Sequence, residues 1–86
     1  MAKRFLEPLC KKIVQMFFYE EIWKMGKKYE EYDLTDAELN KIEANFEQFL
    51  EYQRYNEVER EKMKQEFEAL CSFYRSKRDE INLPYA

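Results

Sequence analysis

The chain of 86 residues carries no histidine, one glycine, two prolines and a net charge of −3. Lacking histidine, it lacks the commonest general base and the commonest neutral metal ligand; with one glycine it has no glycine-rich loop to cradle a phosphate. Few turn residues beside abundant Glu, Lys, Leu, Met and Gln argue against a strand-rich fold and for an all-α one, built as a small single helical domain over 1–86.

The first helix is expected over about 5–25. Pro8 is tolerated in a first turn, Gly26 suits the left-handed position after the last turn, and Lys24, Lys27 and Lys28 complement the negative end of the dipole. Leu6, Leu9, Ile13, Met16, Phe17 and Trp23 form one apolar stripe, and Val14, Phe18, Ile22 and Met25 a second. A face this broad implies contact with two helices, or with one helix and an external partner.

The second helix is expected over 36–54 and has the clearest start. Thr35 and Glu38 have the spacing of a capping box, and Leu34 and Leu39 that of a hydrophobic staple. Leu39, Ile42, Phe46, Phe49 and Leu50 then follow at helical spacing. The third helix is expected over 57–81, opened by a second box-like pair, Asn56 and Glu59. Its stripe is Met63, Phe67, Leu70, Cys71, Tyr74 and Ile81, and Pro84 marks the tail.

These elements predict a three-helix bundle. The alternative is a hairpin with one continuous helix over 36–81, about 69 Å long, which needs a dimer to cover its seam. Three consecutive polar entries in that seam, Gln53, Asn56 and Arg60, favour a break near Tyr55–Asn56. In an up-down-up bundle Cys10 and Cys71 differ in height by roughly 15–20 Å, so they are expected as reduced thiols in a cytoplasmic setting. The apolar run Ile13–Tyr19, broken by Gln15, is too short for a membrane span, and no signal peptide is evident.

Function is constrained by exclusion. Two distant cysteines make no structural zinc site, and the hydroxyls of Thr35, Ser72 and Ser76 have no identifiable base beside them. A non-enzyme without cofactor, metal or catalytic residues is expected.

The mild net charge conceals a strong partition: +4 over residues 1–28, −8 over 29–61 and +1 over 62–86. Glu43, Glu47 and Glu51 recur every four residues, stacked about 6 Å apart on one helix face. Tyr29, Tyr32, Asp33, Tyr52 and Tyr55 lie among or beside these acids, and Tyr is enriched at interface hot spots. The plain reading is a solvated face with edge-packed tyrosines. The sharper expectation is a protein-binding regulator whose acidic, Tyr-rich middle occupies a basic, nucleic-acid-binding surface of a partner, a nucleic-acid mimic of the kind small phage or viral inhibitors supply. The alternative is an obligate homodimer that buries the surplus among 15 aromatic residues. A third alternative, a dimeric nucleic-acid binder using the basic ends Lys3, Arg4, Lys11 and Lys12 or Arg75, Lys77 and Arg78, is disfavoured by the pI of about 5.1. A membrane-surface role for helix 1 is disfavoured because its apolar residues are needed for the core.

Overall fold

The computed structural model describes residues 2–82, with side chains over 9–81. The fold is an all-α three-helix bundle: α1 (Ala2–Lys24), a 3-10 turn (Tyr29–Glu31), α2 (Asp36–Gln53) and α3 (Glu57–Asn82). No strand occurs among the described residues. The side chains of Lys3, Arg4, Phe5 and Leu6, and the tail position Pro84, lie outside the described residues. None of the described helices is long and apolar enough to cross a membrane.

Local chemistry sets the helix boundaries. α1 ends in a Schellman motif: Gly26 takes φ +73, its N–H donates to the Trp23 carbonyl, and the Lys27 N–H donates to the Ile22 carbonyl. At the start of α2, Glu38 N–H donates to Thr35 Oγ1 at 3.2 Å while Thr35 N–H donates to a Glu38 carboxylate oxygen at 2.8 Å. Asn56 and Glu59 make the same reciprocal pair at 2.8 and 3.1 Å before α3. Between the two helices Arg54 turns left-handed at φ 56 and ends α2. The continuous 36–81 helix is therefore excluded: three polar seam residues leave nothing to bury there, and the Asn56–Glu59 cap opens a new helix. α1 is longer than expected at its start, so Pro8 lies inside the helix and not in its first turn.

Side-chain pairs fix the topology. Phe17 meets Phe46 and Phe49, and Lys27 meets Glu38, so α1 and α2 are antiparallel. Glu47 pairs with Lys64, Phe46 stacks on Phe67 and Asp36 pairs with Arg78, so α2 and α3 are antiparallel too. α1 and α3 consequently run parallel. Cys10 and Cys71 are both buried and neither is in a disulfide.

The core is Cys10, Val14, Phe18 and Ile22 from α1, Leu34 from the connection, Leu39, Ile42, Phe46 and Leu50 from α2, and Met63, Phe67, Cys71 and Tyr74 from α3. This corrects the expected α1 stripe. The face around Val14 and Phe18 turns inward, Ile13 and Phe17 are half-buried, and Leu9, Met16 and Trp23 are exposed. Both faces of α1 are apolar. Only the positions of α2 and α3 choose between them, and those depend on contacts distant in sequence.

Candidate interaction surfaces

Glu43, Glu47 and Glu51 all stand in solvent along α2. Glu47 lies 3.4 Å from Lys64 of α3, a compensation invisible in α2 alone. Among the described residues neither Glu43 nor Glu51 is in an ion pair. Tyr52, 84% exposed, stands one residue past Glu51. Tyr55 is half-buried, its ring 6.3 Å from that of Phe49.

Tyr29 and Tyr32 occupy the other end of α2, about 25 Å from Tyr52 along the helix axis. Both are half-buried and knit into the bundle. Tyr29 contacts the rings of Phe18, Tyr19, Tyr32 and Tyr74, and Tyr32 lies 5.0 Å from Tyr74. Burial and neighbouring hydroxyls push the Tyr29 phenol well above its ordinary value. Asp33 is exposed, and its carbonyl accepts from Lys27. The eight residues singled out in the sequence thus divide into a row with Tyr52 and Tyr55 at one end, and a loop group with Tyr29, Tyr32 and Asp33 at the other.

The loop group is clamped from α3. The buried Leu34 N–H donates to Tyr74 Oη at 3.1 Å, and its carbonyl accepts from Arg78 at 3.0 Å. Arg78 and Arg75 also reach Asp36, at 3.0 and 3.6 Å. These two late arginines of α3 are engaged in holding the α1–α2 connection.

The surface with the clearest physical anomaly is the outer side of α1. Leu9, Met16 and Trp23 are 56%, 60% and 75% exposed. Their spacing of seven residues drifts only about 20° per step around the helix, so they make one straight row. Tyr19 flanks it, half in solvent. Beyond Tyr19 the surface dips into a groove of about 410 Å³ between α1 and α3, lined by Val14, Gln15, Tyr29, Leu70 and Phe73 among others. On the inner side of α1, Glu21 is buried yet satisfied: Asn45 donates to it at 2.7 Å and Lys24 at 3.4 Å. The α1 row was legible as apolar in sequence, but its heptad spacing alone did not say that it faces outward.

Among the described residues no three His, Cys, Asp or Glu side chains are grouped to hold a metal ion. Comparison with protein-family models, with curated proteins and with solved structures finds no match.

Proposed function

We propose that the chain is a non-enzymatic protein-binding module that works by docking through the outer face of α1. The observation that carries this reading is the row Leu9, Met16 and Trp23, left in solvent although the core closes without it. Single exposed apolar residues are ordinary, but three set in line on one helix face, with Tyr19 beside them, support an interaction site. Trp, Tyr and Met are the residue types enriched at such interfaces. Because Trp23 is the chain's one tryptophan, its fluorescence reports on this face directly. Acrylamide should quench Trp23 freely in the dilute chain. Met16→Lys and Trp23→Lys should abolish docking while leaving helix content and stability in place. A Trp23 already shielded in the dilute chain refutes the reading.

A second reading rests on α2: a small acidic inhibitor that occupies a basic surface of a partner, a nucleic-acid-binding protein in its most concrete form. Its support is that Glu43 and Glu51 have no cation of their own among the described residues and that Tyr52 stands free beside them. Binding of this kind weakens steeply with salt, whereas apolar docking through α1 resists it. Reversing Glu43, Glu47 and Glu51 to Lys should abolish it, and unchanged binding rejects it.

A further inference from the structure

The row on α1 is self-complementary when turned end over end. We propose that its occupant is a second copy of this chain, the two α1 helices packing antiparallel about a two-fold axis at Met16. This inference rests on the docking reading of the α1 face.

A two-fold interface uses the same patch on both subunits, so each residue meets the one equally far from the axis on the other side. With the axis at Met16, Leu9 comes level with the partner's Trp23 and the small residue faces the large one. Ile13 comes level with Tyr19. Lys12 and Glu20, each about 6 Å from the axis along the helix, come level with each other, twice. Both are exposed. Glu20 has only a 3.9 Å contact with Lys24 in a solvated i,i+4 pair, which leaves it able to swing to a new cation. A parallel pair is disfavoured by the same residues, because it sets Lys12 against Lys12 and Glu20 against Glu20. Every position of the row therefore finds an apolar or opposite-charge counterpart in the antiparallel register. The seam is about four helical turns long and buries less than the roughly 800 Å² per partner of a standard interface, so the dimer is weak and concentration-dependent.

Sedimentation equilibrium from micromolar to millimolar chain tests the proposal, with acrylamide quenching of Trp23 across the same range. The wild type should pass from monomer to dimer as Trp23 becomes shielded. Lys12→Glu and Glu20→Lys should each weaken association about tenfold, since each sets like charges level twice over. The double swap K12E/E20K, and an equimolar mixture of the two single variants, should restore it. Association that ignores this swap pattern overturns the antiparallel register. A chain that stays monomeric at millimolar concentration with Trp23 open to quencher overturns the second copy while the docking face stands. A Trp23 shielded already at micromolar monomer overturns the docking face and this inference with it. All the variants are at exposed positions, and circular dichroism of each checks that helix content is unchanged.

Discussion

The orientation of α1 can be tested by truncating one residue from each of its apolar faces. Phe18 is fully buried, with ring contacts to Tyr29, Phe67 and Tyr74 at 6.1, 5.9 and 5.7 Å. Phe18→Ala removes the ring from a close-packed site and should cost about 3–5 kcal/mol, lost transfer energy plus residual cavity. A domain of this size has roughly 4–13 kcal/mol to lose, so the milder Phe18→Leu, expected at about 1–3 kcal/mol, keeps the measurement within range. Trp23 is three-quarters exposed, and Trp23→Ala should stay within about 0.5 kcal/mol. The higher helix propensity of Ala even favours a small gain. Urea unfolding followed by far-ultraviolet circular dichroism at high dilution, where self-association contributes nothing, reads both. If Trp23→Ala costs more than about 1.5 kcal/mol and Phe18→Leu costs nothing, α1 is turned the other way and the docking face does not exist.

Tyr74→Phe should cost about 1–3 kcal/mol in the same assay, because it strands the Leu34 N–H where no water reaches while the ring packing survives. Glu38 is held below the usual carboxylate range by the Thr35 N–H and then by Lys27. A carboxyl depressed on folding contributes stability above its unfolded value and loses it as pH falls through the folded value. Glu38→Gln keeps an acceptor for Thr35 N–H, so its stability should fall less than the wild type's on acidification below the carboxylate range. Burial pushes the Cys71 thiol up to about 11, and Cys10 is equally enclosed, so maleimide labelling at neutral pH should track unfolding; rapid labelling of the native chain refutes that packing.

Much of the fold was legible because the signals were local. The Thr35–Glu38 and Asn56–Glu59 pairs act over three residues, and Gly26 acts on the turn it closes, so each announces its boundary without knowledge of the rest. The polar run through Gln53, Asn56 and Arg60 likewise marked the break that separates α2 from α3. The 3-10 turn at Tyr29–Glu31 carried no such signal. It is held by rings from α1 and α3, and Tyr29 looks like a free interface residue until those rings are in place.

Local pattern along the chain specifies three capped helices, an acidic row on the second and two apolar faces on the first. Tertiary structure alone decided which of those faces is core. Val14 and Phe18 are inside and Met16 and Trp23 outside because α2 and α3 close on one side of α1 only. It also supplied Lys64 to Glu47, Asn45 to Glu21, and Tyr74 and Arg78 to Leu34, partners 17 to 44 residues apart. Helix periodicity records which residues share a face; which neighbour that face meets is settled by contacts between residues far apart in the chain.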